Sequence, residues 1–420
     1  GRQAAIEARL ARRHLSPGGL VLFDLSSSWV EGRHNALAAL GYTRDGRRGK
    51  AQINYGLVTD RDGRPVAVRV FEGNVADPTA FSAAVEDVRH RFGLDEVVLV
   101  GDRGMITSAR IAQLKTLEGA GWITALRAPQ IKQLAEAGSI QLSLFDQGPL
   151  AEIDHPDYPG ERLVVCRNPA LAAERARKRA ELLEATEAAL GKVAASVEAG
   201  RLKDPAKIGV RVGRVAHRFK MAKHFRWEIA EGSFTYRRRQ EAIEAEAALD
   251  GIYVVRTSVP ATTLDPAGVV EAYKRLRLVE QDFRSLKTID LELRPIYHRL
   301  EQRVRAHVFI CMLAAYLTWH LRRAWAPLCF TDEEPPDRRT EPVGKAERSL
   351  AAQRKASTRR TPDGRPAHSF ATLLDHLATL TRNTVRLGDQ PTTIEMLATP
   401  TATQRRAFEL LGTTVPLQLT

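Results

Sequence analysis

Residues 95–102, with the sequence DEVVLVGD, form a short, continuous apolar run that ends in an acid. Such a run is typical of a strand that is buried on both faces of a sheet. Three β-rich runs precede it, at 19–27, 53–60 and 65–73, and the Asp-Gly pair at 62–63 predicts a hairpin between the last two. The sequence therefore predicts a central strand that follows a three-stranded meander.

The chain on either side of this central strand supplies helices. Asp77 and Pro78 begin a predicted helix that runs to Gly93, with Asp as the N-cap and Pro at the first helical position. A helix at about 108–116 and a strand at 121–128 follow the central strand. A meander that passes into alternating strands and helices gives a mixed sheet, so the predicted fold class is α/β with helices flanking the sheet.

Changes in composition indicate the domain organisation. Residues 18–128 and 261–328 are predicted to be two parts of one core domain, separated by an α+β insertion subdomain at 129–260. Residues 329–367 are rich in Pro, Arg, Lys and Thr, which predicts a basic linker before a C-terminal subdomain at 368–420.

The charge of the chain points to a nucleic-acid partner. The formal net charge is +13 and the sequence pI is about 9.9, a surplus that attracts polyanions. The longest apolar run, at 308–317, is much shorter than the roughly 20 residues of a membrane-spanning helix. We therefore expect a buried core helix there and no membrane partner.

The cysteines and the first residues bear on location. Cys166, Cys311 and Cys329 are widely spaced, which argues against a disulfide framework or a zinc site and favours a reducing, cytoplasmic location. The first residues are charged and amphipathic, unlike a signal peptide. Because the chain does not begin with Met, we interpret residues 1–17 as the remnant of an N-terminal region.

Two aspartates follow predicted strands. Asp24 lies at the carboxyl end of the first run, and Asp102 ends the central run and precedes Arg-Gly. Strand ends of this kind are where sites lie in open α/β sheets. Phosphodiester transfer by two divalent ions needs several carboxylates, because Mg²⁺ prefers oxygen ligands. The two aspartates and one acid from a covering helix meet that need.

Glu280 is the candidate third acid, on a predicted helix that resumes at about Pro266. At 100° per residue from Tyr273, Glu280 lies at about −20°, Lys287 at about −40°, and Arg277 and Arg284 at about +40° and +20°. The adjacent side of the helix, from about −60° to −140°, is apolar and is expected to dock on the sheet; it carries Leu276, Val279, Phe283 and Leu286.

Each acid also has a purely structural interpretation. Asp24 and Asp102 are compatible with turn formation, and Glu280 with Arg277 and Arg284 is compatible with a surface ion-pair ladder. Asp45 is interpreted as a turn former on the same grounds. The joint pattern of two strand-end aspartates and one charged helix stripe favours the catalytic interpretation.

Four ordered blocks carry a resemblance to a known family. They are FDLSSSW (23–29), RDGRRGKAQINYGLVTDRDGRPVAVRVFEGNVADP (44–78), VVLVGDRGM (97–105) and YKRLRLVEQDFRSLKTIDLELRPIYHR (273–299). Together they resemble a DDE transposase of bacterial insertion sequences, in the insertion-sequence-four-like group with a YREK signature. The resemblance covers about residues 18–128 and 250–325.

The resemblance implies an RNase H-like mixed sheet flanked by helices, interrupted by the α+β insertion before the last catalytic helix. It implies Asp24, Asp102 and Glu280 as ligands of two Mg²⁺ or Mn²⁺ ions. Tyr273, Glu280 and Lys287 become the Y, E and K of the signature. The implied activity is cut-and-paste DNA transposition, with double-stranded DNA as partner and a homodimer on the DNA.

The sequence departs from this signature at one position. The signature Arg falls on Leu276, and the helix angles nominate Arg277 as its stand-in. Trp227, in a β-like run of the insertion, is the candidate for the Trp that holds a flipped base in this group; packing in the insertion's own core is the alternative. The expected DNA-binding residues are thus Tyr273, Arg277, Arg284, Lys287 and Trp227.

Two rival functions use the same residues. A nuclease on the same core would cleave DNA without strand transfer, and an inactive derivative would bind DNA without cleaving it. The sequence leaves both open.

Overall fold

The structure is a computed structural model that describes residues 1–145, 148–289, 291–330, 350, 354, 357–386, 388 and 393–415. The chain divides into two compact units. The first unit combines residues 1–124 with the described residues from 271 onwards, and the second unit holds residues 125–270. These divisions lie near the predicted ends of the insertion at 129 and 260.

The first unit is built on a mixed sheet. Its strands stand in the order β3-β2-β1-β4-β5, with β1 antiparallel to β2, β2 antiparallel to β3, and parallel pairing of β1 with β4 and of β4 with β5. This arrangement confirms the predicted α/β class and the RNase H-like sheet. The strands are β1 (Leu20–Trp29), β2 (Gln52–Asp60), β3 (Pro65–Glu72), β4 (Val97–Val100) and β5 (Ala120–Ala125).

Helices flank this sheet. The elements are α1 (Arg2–His14), α2 (Asp77–Glu86), α3 (Ser108–Leu114), the end of α8 (Pro266–Lys274), α9 (Leu276–Arg284), α10 (Glu301–Ala324), α11 (Phe370–Ala378) and α12 (Ala402–Leu410), with a hairpin of β11 (Arg382–Arg386) and β12 (Thr393–Leu397). At the start of α2 the N-cap is Ala76, so Asp77 lies in the first turn and not at the predicted cap. π-Helical segments follow α2 at Asp87–Arg91 and α9 at Ser285–Ile289.

Helix α1 belongs to the first unit, where it packs against β3. Glu7 is fully buried, and its Oε1 accepts a hydrogen bond from the Val68 amide at 3.1 Å. Its Oε2 lies 2.6 Å from the Arg91 guanidinium. Since a buried carboxylate without partners would be costly, these contacts fix α1 on the sheet. Residues 1–17 are therefore an integral part of this unit.

Helix α10 is the apolar helix expected near 308–317. It buries Val304, Val308 and Met312 completely, and Arg305 donates to the Val70 carbonyl of β3 at 2.6 Å. Among the described residues, α10 is the single helix whose length and apolar composition would allow it to cross a membrane. Core helices of soluble proteins pass the same test of length and composition. At its end, Trp325 packs with Phe370 of α11 and Ala407 of α12.

The second unit is α+β. An antiparallel set of three strands has the order β10-β7-β6, and a separate hairpin pairs β8 with β9. The long helix α5 and helix α6 share a core with the hairpin through Leu190, Ile208 and Phe234. The elements are α4 (Ala128–Glu136), β6 (Leu150–Ile153), β7 (Arg162–Arg167), α5 (Pro169–Glu198), α6 (Pro205–Phe219), β8 (Phe225–Ala230), β9 (Ser233–Arg238), α7 (Gln240–Ala247) and β10 (Ile252–Thr257).

The last two predicted segments are the basic linker and the C-terminal subdomain. Most of the predicted basic linker, 329–367, lies outside the described residues. The described residues of the predicted C-terminal subdomain, 368–420, are grouped with the first unit.

Candidate active site

The register of two parallel strands aligns the two aspartates. Strand β1 pairs with β4 only from Leu20 to Leu22, and Leu22 lies opposite Val100, the last residue of β4. Asp24 and Asp102 each stand two residues beyond that last pair, so they occupy equivalent positions where the strands part. Asp24 lies within β1, which continues to Trp29, and not at the end of the strand as expected. The opening begins where the pairing with β4 stops.

Asp102 is held by its own turn. Its Oδ1 accepts hydrogen bonds from the amides of Gly104 at 2.7 Å and Met105 at 2.9 Å. A Cβ on residue 104 would stand 3.1 Å from that same oxygen, so glycine leaves room for the carboxylate. The turn orients the exposed Asp102 side chain while Met105 anchors it in the core at 1% exposure.

Glu280 is carried to the same opening by α9. This helix packs against β1 through Leu276, Val279 and Phe283, which are 8%, 0% and 5% exposed. The Phe283 ring meets the Tyr55 ring of β2 edge-on at 5.7 Å. The apolar face predicted from the sequence is thus confirmed. Glu280 follows the fully buried Val279, and its side chain is exposed beside the sheet.

The three acids share one electrostatic environment. Burial, followed by the negative charges of Asp102 and Glu280, raises the pKa of Asp24 from 3.8 to about 7, against the opposing effects of the Leu25 amide and Arg44. Burial, with Asp102, Glu280 and Asp24 around it, likewise raises the pKa of Tyr273 to about 12. Asp102 and Glu280 therefore act electrostatically on the same two groups, Asp24 and Tyr273.

The donor set suits a hard divalent cation. Three carboxylates supply oxygen ligands, and a cation between them would offset the repulsion that Asp24 experiences. Within the described ranges, no three His, Cys, Asp or Glu side chains are close enough together to enclose a metal ion. The Glu280 Oε2 instead lies 3.9 Å from the Arg284 guanidinium, and that pair is largely exposed. Ligation by all three acids therefore requires Glu280 to turn toward the aspartates.

The expected cationic stripe is only partly present. Arg277 and Arg284 are exposed on the same helix as Glu280. Lys287 is buried, and its Nζ lies 2.9 Å from the Asp45 Oδ1. The constant 100° per residue used for the prediction fails at this position because residues 285–289 are π-helical. Lys287 therefore lies away from the exposed Arg277 and Arg284 with which the helix angles grouped it, and a contact between Lys287 and DNA stays a prediction.

The segment before β2 contains charged groups that sequence reasoning missed. The Asp45 side chain is 1% exposed and accepts from both Lys287 and Arg294, the latter at 2.6 Å, so its carboxylate is a buried ion-pair centre and Asp45 is not a simple turn former. Arg44 pairs with Asp77, and its charge lowers the pKa of Asp24. The signal that pointed to them was the run RDGRRGK at 44–50, where charge and glycine are concentrated.

Trp227 lies in the second unit, on β8 opposite Tyr236. Its half-buried ring packs against the core shared by α5, α6 and the β8–β9 hairpin. This packing is the alternative role that the sequence leaves open beside base binding. A contact between Trp227 and DNA stays a prediction.

Comparison with known proteins places the chain in a family. No curated protein sequence matches it. A solved structure, the piggyBac transposase synaptic complex with hairpin DNA, is similar at 8% identity and a TM-score of 0.37, over 72% of this chain. The chain spans 47% of the length of that transposase. The family described as "Transposase DDE domain" matches residues 19–317, which include Asp24, Asp102 and Glu280. The chain therefore belongs to the family of transposase DDE domains.

Proposed function

We propose that this chain is the catalytic part of a DNA transposase that cleaves phosphodiester bonds at transposon ends and joins the ends to target DNA, in cut-and-paste transposition. One observation carries the proposal: Asp24 and Asp102 stand at equivalent positions of two parallel strands, and Glu280 acts on Asp24 from the covering helix. Membership of the DDE domain family supports it.

Two Mg²⁺ or Mn²⁺ ions are the proposed cofactors, with Asp24, Asp102 and Glu280 as their ligands. Such ions activate a water or 3′-hydroxyl and stabilise the leaving oxygen. The chain's own contribution is position. The β1–β4 register fixes Asp24, the turn at Gly104 orients Asp102, and packing of α9 on β1 holds Glu280 beside the sheet. Partial burial of Asp24 strengthens the effect of the neighbouring charges on its carboxylate.

Double-stranded DNA is the proposed partner, bound by a homodimer. Arg277 and Arg284 are exposed beside Glu280 and are suited to contact phosphates near the cleaved bond. The Tyr273 hydroxyl lies within reach of all three acids' charges, so we assign it to the substrate phosphate. Lys287, paired with Asp45, acts by positioning the end of α9. Trp227 is the proposed base-binding residue of the insertion.

The test is metal-dependent nicking of transposon-end DNA by single variants. Asp24→Asn, Asp102→Asn and Glu280→Gln should each abolish nicking, since each removes a charged ligand, while DNA binding in a gel-shift assay is retained. Glu31→Gln is the control, because Glu31 is an exposed acid that pairs with Lys50. If any of the three variants nicks DNA at the normal rate, that residue is not a ligand.

The products distinguish the rival functions. A transposase joins the cleaved end to a target plasmid, whereas a nuclease leaves free ends only. An inactive derivative binds DNA with equal affinity in the wild type and all three variants and nicks it in none of them.

A further inference from the structure

One segment of the second unit concentrates the surplus charge of the chain. Residues 201–226 contain nine Lys and Arg against one Asp, a net +8 of the chain's +13. The single acid, Asp204, is the N-cap of α6 and accepts from the amides of Ala206 and Lys207. Its carboxylate is thereby engaged at the helix start, where it also suits the helix dipole. The rest of the segment has no acid of its own, and of its cations Lys223 pairs with Glu246 of α7.

Four of these cations form a row on α6. Lys207, Arg211, Arg214 and Arg218 are spaced by four, three and four residues, so they fall within an arc of about 60°. All four are exposed. We call them the α6 basic row.

The rest of the helix explains why the row stays outside. Ile208, Val212 and Phe219 occupy another side of α6, are 0%, 2% and 7% exposed, and join the core of the unit. Burial of this apolar side fixes the rotation of the helix about its axis. The basic row is consequently held at the surface by packing, on a rigid helix and not on a loop.

The cations of the row differ from other arginines of the unit. Arg177, Arg179 and Arg238 each pair with an Asp or Glu. Among the residues that the structure describes, Lys207, Arg211 and Arg214 have no carboxylate partner. Adjacent like charges on a helix destabilise it slightly. The exposure of these three neighbouring cations without a carboxylate partner is therefore explained better by an anionic ligand than by the stability of the helix.

We propose that the α6 basic row binds the phosphate backbone of duplex DNA, as a contact separate from the catalytic acids. The row is about 16 Å long. Each DNA strand carries a phosphate every ~3.4 Å of helix axis, so the row is long enough to lie beside four or five of them. It contains no Phe, Tyr or Trp on which unpaired bases would stack, which favours duplex over single-stranded DNA. The inference rests on the proposed function in that DNA is the partner.

The test is the salt dependence of DNA binding by the full chain. A blunt 40-base-pair duplex is titrated without divalent ions over a series of salt concentrations. Arg211→Ala/Arg214→Ala should reduce the slope of log K against log salt by about two, since each lost phosphate contact removes ~0.9. Arg211→Lys/Arg214→Lys should restore most of it. The control is Arg175→Ala/Lys192→Ala, which removes two exposed cations of α5 in the same unit.

The salt titrations can overturn the proposal that the α6 basic row binds duplex DNA. An unchanged slope in the α6 double variant, or an equal loss in the α5 control, overturns the proposal. A greater loss of affinity for a single strand of the same length than for the duplex overturns the choice of duplex DNA. Failure of the proposed function has a different readout. If the proposed function is wrong but the α6 basic row binds DNA, the salt slopes of the variants change as expected while the wild type fails to nick transposon ends.

Discussion

Leu276 and Arg277 are neighbours in the sequence but have different surroundings. Leu276 is 8% exposed against β1, as the helix angles predict, and Arg277 is exposed. Leu276→Ala should lower the free energy of unfolding by roughly 2–5 kcal/mol, as for a core leucine. Arg277→Ala should leave stability nearly unchanged and reduce the salt slope of transposon-end binding by about one. Thermal melts and salt titrations of both variants measure this.

The opposite pattern would reject the assignment of Arg277 as the stand-in for the signature Arg. If Arg277→Ala binds DNA with the wild-type salt slope, the phosphate contact lies elsewhere, and Arg284→Ala becomes the variant to measure. Arg110→Ala, at a half-buried arginine of α3 that donates to Gln113, is the control for a general loss of charge.

Asp45 should be a stability residue and not a ligand of the catalytic ions. Its 1% exposed carboxylate accepts from Lys287 and Arg294. Asp45→Asn leaves two partly buried cations without their counter-charge, and we expect a loss of about 3–5 kcal/mol of unfolding free energy in denaturant titrations. Glu31→Gln, which breaks an exposed pair with Lys50, should cost about 0–1 kcal/mol. Equal losses in the two variants would contradict the account of Asp45.

Among the elements, the strands were the most predictable. The β-rich run at 53–60 became β2 (Gln52–Asp60), and the apolar run at 95–102 became β4 (Val97–Val100). The second followed from the apolar run because a strand buried on both faces needs one. The hairpin at Asp62-Gly63 formed, with Gly63 at φ +78°. Asp102 at the end of its strand was predictable for the same reason. The position of Asp24 was less predictable, because the opening beside it depends on where β1 stops pairing with β4.

Helices were predicted less well, for physical reasons. The helix expected from Pro266 is interrupted at Arg275, between α8 and α9, and changes to π geometry at residues 285–289. A periodicity argument assumes a constant twist and fails at such points, which is why Lys287 was misplaced. Helix α6 was not delimited from the sequence, because its two glycines and several β-branched residues lower its intrinsic helix propensity. Packing against α5 overrides that propensity.

Helix α1 is joined to the rest of its unit by a histidine that should respond to pH. His14 lies between Arg64 at 3.0 Å and Tyr316 of α10 at 2.9 Å. Burial, and then the charges of Arg64, Arg13 and His320, lower the pKa of His14 from 6.5 to about 4. The neutral imidazole accepts a hydrogen bond from Arg64 through Nδ1, and protonation would remove that acceptor.

The sign of the effect follows from proton uptake. Between pH 6.5 and about 4 the unfolded chain binds a proton at His14 that the folded chain does not, so stability falls as the pH falls through this window. His14→Gln should therefore flatten the dependence of Tm on pH in that window. His34→Gln, at an exposed histidine, should leave the dependence as in the wild type. A slope unaffected by His14→Gln would contradict this account.

For the whole molecule, charge and chemistry are divided between the two units. The first unit carries the three acids, and residues 201–226 of the second carry a net charge of +8. The net charge alone predicted a nucleic-acid partner but not where it binds, because the position of the α6 basic row depends on packing of the apolar side of that helix. The three acids were predicted from their joint pattern in the sequence and from the family resemblance. The central claim is that Asp24, Asp102 and Glu280 together ligate two metal ions.

That claim is tested most directly by the positions of bound Mn²⁺ ions. The measurement is anomalous diffraction from crystals of the full chain grown with Mn²⁺ and transposon-end DNA. We expect two peaks roughly 3.5–4 Å apart, ligated by Asp24, Asp102 and Glu280, with Glu280 turned away from Arg284. Peaks elsewhere in the unit, or a pair of ions at these strands that Glu280 does not ligate, would contradict it.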